Sequence, residues 1–241
     1  KRLDDVRVLR QMQFQEDAGP LAHPVRPAAY VEINNFYTAT VYNKGAEVVR
    51  MIATIIGFDT FKKGLSLYLA RHDGQAATVE DFVGAMEEAS GQSLAQFFRW
   101  YQRPGTPSVR LERTAAADGS LCLTFKQTQS SAATSLAEKE GGAPMGALHI
   151  PIRLAVLGQE GALKNVRIFE VGAPAAKQAD ASGASEHTSF RSEVGPSERE
   201  GEYIVHLRGE VATFKLEGAT LRDVPSVLRG FSAPIRLDSD L

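Results

Sequence analysis

Two hydrophobic rhythms divide the chain. Val41, Gly45, Val48, Val49, Ile52, Ile55 and Ile56 recur at helical spacing, and Gly57 follows where a helix would stop. Phe61, Leu65, Tyr68 and Leu69 repeat the pattern until His72-Asp73-Gly74 breaks it. Thr78 with Asp81 has the form of a capping box ahead of Phe82, Val83 and Met86. Ser93 with Gln96 fits that form better, ahead of Phe97, Phe98, Trp100 and Tyr101. The prolines and glycine of residues 17–27 predict an extended loop leading toward Tyr42.

Beyond Pro104-Gly105-Thr106-Pro107 the period changes. Short alternating or apolar runs occupy residues 108–112, 121–127, 148–157, 166–171, 203–208 and 212–216. Turn signals such as Asp118-Gly119 and Glu160-Gly161 separate them, a pattern that predicts a small antiparallel sandwich. Residues 130–146 and 172–201 are rich in Ala, Ser, Gly and Glu and lack apolar periodicity. They are expected to be mobile surface loops, since they bury too little to offset their ordering entropy. The fold class predicted is α+β by segregated domains, with a helical part over residues 1–103 and a β-sandwich over 104–241.

Length and composition narrow the function. At 241 residues, 43% hydrophobic and 23% charged, the chain has the make-up of an ordinary globular protein of one large or two small domains. A net charge of -2 gives no electrostatic case for nucleic acid or an anionic membrane surface. No apolar run approaches the roughly 18 residues of a membrane span. The single cysteine, Cys122, excludes an internal disulfide and fits a cytoplasmic protein. The chain opens Lys1-Arg2-Leu3-Asp4-Asp5, without an initiator methionine or a signal pattern, and reads as a piece of something longer.

Metal chemistry finds no purchase in the spacing. His23, His72, His149, His187 and His206 stand far apart, and no His-Glu-x-x-His occurs. Gly-rich phosphate loops and nucleophile elbows are likewise missing. Tyr42 heads the candidates for chemistry, although the residue taken alone reads more simply as a tyrosine packed at a helix end with its hydroxyl in water. A neutral phenol can donate one hydrogen bond to a developing oxyanion without adding a charge to desolvate. Lys44 reads most simply as a solvated or ion-paired side chain, and Gly45 as a point of close backbone approach. Asn34 and Asn35 could orient a substrate backbone or simply make a turn.

The run Asn34-Asn35-Phe36-Tyr37, followed by Tyr42-Asn43-Lys44-Gly45-Ala46-Glu47-Val48-Val49-Arg50-Met51, resembles the aminopeptidase N family of zinc metallopeptidases, in its bacterial-type branch. The resemblance continues through Glu16-Asp17-Ala18-Gly19-Pro20, Ala22-His23-Pro24-Val25-Arg26-Pro27, Arg71-His72-Asp73-Gly74 and Arg99-Trp100-Tyr101. It resumes at Leu148-His149-Ile150-Pro151 and Phe231-Ser232-Ala233-Pro234.

What the resemblance implies is specific. Residues 1–103 would be the helical end of a thermolysin-like catalytic domain, and the sandwich would be immunoglobulin-like. Tyr42 would stabilise the oxyanion formed on a peptide carbonyl, Tyr37 would line the pocket for the first side chain of a peptide substrate, and Asn34 would bind substrate. Zinc would belong to the intact enzyme, with no metal ligand in this chain, so the chain alone should be silent. The missing catalytic half and a C-terminal helical domain would be its partners, and an uncovered face in residues 1–70 would favour self-association. The alternative is a non-catalytic binding or scaffold module, since sandwiches host many functions.

Overall fold

The computed structural model describes residues 1–131, 133, 146–171, 194–196 and 199–239. The mobility expected of residues 130–146 and 172–201 therefore falls largely outside the described residues, as does His187. Six α-helical segments come first: α1 (Arg2–Val8), α2 (Phe14–Glu16), α3 (Gly45–Ile56), α4 (Phe58–His72), α5 (Val79–Ser90) and α6 (Arg99–Gln102). Two π-helical turns, Leu9–Gln13 and Thr40–Lys44, join α1 to α2 and lead into α3.

The helical spacing of α3 buries Val48, Met51, Ile52, Ile55 and Ile56, and Gly57 ends it at φ +82. Along α4, Gly64 permits close packing on α5: a Cβ there would lie 2.6 Å from Met86 Sδ and 3.3 Å from Met86 Cα. The capping box at Thr78 and Asp81 forms in both directions. The one expected at Ser93 and Gln96 does not. Gln96 is buried and sends its amide to the carbonyls of Ala147 (3.1 Å) and Arg208 (2.6 Å), the first of which also accepts from Arg99 Nη1 at 2.8 Å. Satisfying two carbonyls across the molecule outweighs one local cap.

The sandwich has two sheets. The first orders β10 (Arg236–Ser239), β1 (Ser108–Ala115), β2 (Leu121–Thr128), β8 (Val211–Glu217) and β5 (Arg167–Val171). The second orders β4 (Leu163–Lys164), β3 (Ile150–Leu157), β7 (Glu202–Leu207) and β6 (Val194–Pro196), with β9 (Val224–Val227) also paired to β3. All six apolar runs form strands. The pairing is antiparallel except at the edge, where β10 runs parallel to β1. β4, β6, β9 and β10 span two to four residues each, too short for alternation to register. β6 also places a strand inside a stretch expected to be loop.

Val109, Leu123, Phe125 and Phe214 of the first sheet meet Ile152, Leu154 and Val205 of the second in one core. That core continues into Val48, Ile52, Phe97 and Trp100 of the helical part. β3 is accordingly buried on both faces, one toward the sandwich interior and the other toward α3. The joint is pinned by polar contacts. Trp100 Nε1 donates to His149 O at 2.8 Å, and Arg2 and Arg50 both donate to Phe231 O, at 3.0 and 3.1 Å. Phe231 holds φ +54, a left-handed backbone uncommon for a bulky residue. No helix among the described residues is long and apolar enough to cross a membrane.

Candidate active site around Tyr42

The π-helical turn Thr40–Lys44 sets up the site by turning alternate side chains in opposite directions. Thr40 and Lys44 are fully buried, whereas Tyr42 between them is 58% exposed. Its ring stacks on that of Tyr37 with centroids 5.9 Å apart and planes at 25°. Tyr37 is 61% exposed and packs edge-on to Phe36, which packs edge-on to Tyr30. Asn34 lies on the short 3₁₀ turn Ile33–Phe36, where its carbonyl accepts the Tyr37 N–H at 3.4 Å.

Asn34, Asn35, Tyr37, Tyr30, His23 and Glu16 line an open cavity of about 860 Å³. Tyr42 is not among its lining residues and reaches it only through the stack on Tyr37. The fold thus gathers Asn34, Tyr37 and Tyr42 on one exposed region, as their spacing in sequence anticipates.

Beneath Tyr42 lies a polar layer. Lys44 is neither solvated nor exposed: its Nζ donates to Asp17 Oδ2 at 2.8 Å and to Gly105 O at 3.0 Å, with both charged side chains 1% exposed. Asp17 also accepts from Gly105 N at 2.9 Å and from Thr106 Oγ1 at 3.0 Å. Burial alone would raise the Asp17 pKa. The Lys44 charge and hydrogen bonds from Lys44, Gln13 and Gly105 outweigh it and hold the carboxyl below its ordinary value. The start of the turn is held as well. Thr40 N donates to Glu16 Oε1 at 2.9 Å, and Gln13 Nε2 donates to Thr40 Oγ1 at 3.2 Å. By contrast, Gly45 is not a point of tight approach, since a Cβ there would meet only Val25 Cγ1 at 3.5 Å.

Residues 4–101 match the peptidase family M1 domain, and residues 105–240 match a domain of unknown function, DUF3458, with an Ig-like fold. Aminopeptidase N of Escherichia coli K12 is 38% identical over 238 residues, which is 98% of this chain and 23% of that protein. Aminopeptidase N of Haemophilus influenzae is 36% identical over 239 residues, 99% of this chain and 24% of that protein. Aminopeptidase N of Caulobacter vibrioides is 57% identical over 122 residues, 50% of this chain and 14% of that protein.

The chain belongs to the aminopeptidase N family.

It spans about a quarter of the length of the Escherichia coli and Haemophilus relatives. Among solved structures it is similar to Legionella pneumophila aminopeptidase A in complex with aspartic acid. The TM-score is 0.66 at 22% identity, over 99% of this chain and 23% of that one, a likeness of fold. A helical portion of the peptidase family M1 domain followed by an Ig-like domain is thus the architecture of this member of the family.

Zinc is associated with this family, so its fit to these residues can be tested. Among the described residues no three His, Cys, Asp or Glu side chains gather as a metal site. The described residues do not fit a zinc ion. Spacing did mislead on one point, because His149 and His206 meet with Nε2 and Nδ1 2.8 Å apart. Antiparallel pairing of β3 with β7 sets Pro151 opposite His206 and so brings His149 within reach. Both imidazoles are buried, and His149 Nδ1 has no partner among the described residues. Burial, then the charges of Arg208 and His206, holds His149 well below its ordinary pKa. Burial and Arg208 bring His206 down to about 4.

Sequence reasoning passed over Asp17, Glu16 and Gln13. The only signal was the adjacent carboxylates Glu16-Asp17 ahead of Gly19-Pro20, which quote the family without revealing what they hold.

Proposed function

We propose that this chain is the part of a zinc aminopeptidase that supplies Tyr42 to the chemical step and braces it with a sandwich domain. The whole enzyme would remove single residues from the N-termini of peptides. As the scissile carbonyl is attacked, negative charge gathers on its oxygen, and the Tyr42 hydroxyl donates a hydrogen bond there without bringing a charge of its own. The Tyr37 ring would contact the first side chain of the peptide, and the Asn34 amide would orient the substrate backbone.

One observation carries this reading: Tyr42 stands 58% exposed on a turn whose neighbours Thr40 and Lys44 are wholly buried. A phenol offered to solvent from so firmly anchored a backbone is a donor ready for a ligand. Zinc would be held elsewhere in the whole protein, and the chain alone would be inactive. Residues 1–103 would close the catalytic domain, and 104–241 would form the sandwich after it. The cytoplasmic setting rests on the lone buried thiol, Cys122.

The same reading accounts for the surface of the helical part. Of the eighteen large apolar side chains exposed among the described residues, twelve fall within residues 1–70, Met12, Leu21, Tyr30 and Val31 among them. The remaining catalytic half would cover them, and without it two copies of the chain would self-associate there. The deciding experiment is the turnover of the whole enzyme with Tyr42→Phe, zinc content verified. An unchanged kcat would remove Tyr42 from the chemical step.

A further inference from the structure

Tyr42 has few means of holding its own position. Its ring touches the Tyr37 ring, itself exposed, and its backbone N–H donates to Thr38 O at 3.1 Å. The turn that bears it is π-helical, with wider and weaker hydrogen bonding than an α-helix, and such turns rely on their surroundings. The placement of the phenol must therefore come from the two ends of the turn.

The end at Lys44 is held by a clasp that reaches across the molecule. Lys44 Nζ donates to Asp17 Oδ2 and to Gly105 O, while Asp17 accepts from Gly105 N through Oδ1 and from Thr106 Oγ1 through Oδ2. Three segments distant in sequence are thereby tied at one buried point: the end of the first helical run, the Tyr42 turn, and the connection from α6 into β1. Gly105 and Thr106 are themselves buried, so the connection is a packed part of the joint and not a loose tether.

We propose that Asp17, Lys44 and Thr106 are positioning residues for Tyr42, and that the sandwich domain, through Gly105 and Thr106, is part of the mount that aims the phenol. The inference rests on the reading of Tyr42 as the oxyanion donor. A displacement of the sandwich against the helical part pulls on Gly105, then on Asp17 and Lys44, and so on the turn two residues from Tyr42. The sandwich is then more than a spacer: it sets the geometry of a group that it never touches.

The test uses the whole enzyme with 3-fluorotyrosine at position 42, in wild-type, Asp17→Asn, Lys44→Gln, Thr106→Val and Thr106→Ser forms. Phe214→Leu, in the sandwich core and away from the clasp, is the destabilised control. The fluorine resonance should shift and broaden in the first three variants, stay in place in Phe214→Leu, and return in Thr106→Ser. In the unlabelled enzymes kcat should fall by on the order of 10- to 100-fold with KM little changed, the loss typical of a misplaced catalytic group. On a Tyr42→Phe background the same changes should cost no further kcat.

An unmoved resonance alongside a lowered Tm would overturn the proposal, reducing the clasp to a stabilising contact. Equal kcat losses with and without the Tyr42 hydroxyl would overturn it too, since the clasp would then act by another route. A normal kcat in Tyr42→Phe alone would sink the donor reading, and the fluorine signal would still decide whether the clasp fixes the ring. If Asp17→Asn fails to fold, Thr106→Val removes a single hydroxyl donor and no charge, and carries the test.

Discussion

Lys44 Nζ lies 2.8 Å from Asp17 Oδ2, and neither side chain is more than 1% exposed. A buried ion pair can cost as much to desolvate as its attraction returns, but removing one partner strands the other charge. Asp17→Ala should therefore destabilise the chain by about 3–5 kcal/mol. The double change Asp17→Leu with Lys44→Met should recover only the part due to the stranded charge, because Gly105 N–H and the Thr106 hydroxyl then have lost their acceptor and Gly105 O its donor. Urea melts of the three forms check the order. The pH dependence has a definite sign: a depressed carboxyl pKa contributes its full stability above the unfolded value near 4 and loses it as pH falls through the lower folded value. Acid titration of the melts should show this loss below about pH 4 in wild type and its absence in the double variant.

Turnover of the whole enzyme should depend on the Tyr42 hydroxyl. Tyr42→Phe keeps the ring and its stack on Tyr37, so Tm should hardly move. Its kcat should drop by about 100- to 1,000-fold, the usual cost of one lost oxyanion donor, with a smaller change in KM. Tyr37→Phe should cost far less kcat and should alter preference among peptide N-terminal side chains. Steady-state kinetics on a panel of aminoacyl substrates measures both.

The buried histidine pair should make stability fall in mild acid. His206 is lowered to about 4 and His149 lies well below its ordinary value, so between about pH 6.5 and 4 the unfolded chain takes up protons that the folded chain refuses. Stability then drops as pH falls through that window and levels off for His206 below it. Thermal melts from pH 7 to 4 should show the slope, and His206→Gln should flatten it. An identical slope in that variant would assign the acid sensitivity elsewhere.

Arg103 is an expensive side chain. It is 3% exposed, its three guanidinium nitrogens have no partner among the described residues, and burial followed by the Arg99 charge pushes its pKa down to about 10. Arg103→Met keeps much of the aliphatic stem and removes the orphaned donors. It should raise stability by about 1–3 kcal/mol, read as a higher Tm. A fall in Tm would mean that the guanidinium holds a partner in solution.

The chain on its own should self-associate through its helical part. Sedimentation velocity should give a concentration-dependent dimer, and replacing Met12, Tyr30 and Val31 by serine should dissolve it. Serine at Phe169, Val211 and Val224, exposed on the sandwich, should leave the dimer intact. A monomer at all concentrations would argue against an uncovered docking face.

The sequence by itself determined the segregated architecture, because the helical and strand periods are local signals that survive without tertiary information. The α3 face, the Gly57 stop, the Thr78 capping box and the six longer strands were all legible that way. So was the grouping of Asn34, Tyr37 and Tyr42, which lie within nine residues of one another. Only the tertiary structure decided what lies beneath them. Asp17 reaches Lys44 across 27 positions and Gly105 across 88, and His149 meets His206 across 57. No periodicity records such distances. Gln96, which local spacing assigns to a cap, is claimed instead by two carbonyls of the sandwich side. Burial explains the difference: once a polar group leaves water its nearest partner in space outranks its nearest partner in sequence, because an unmade hydrogen bond costs more there than any local cap returns.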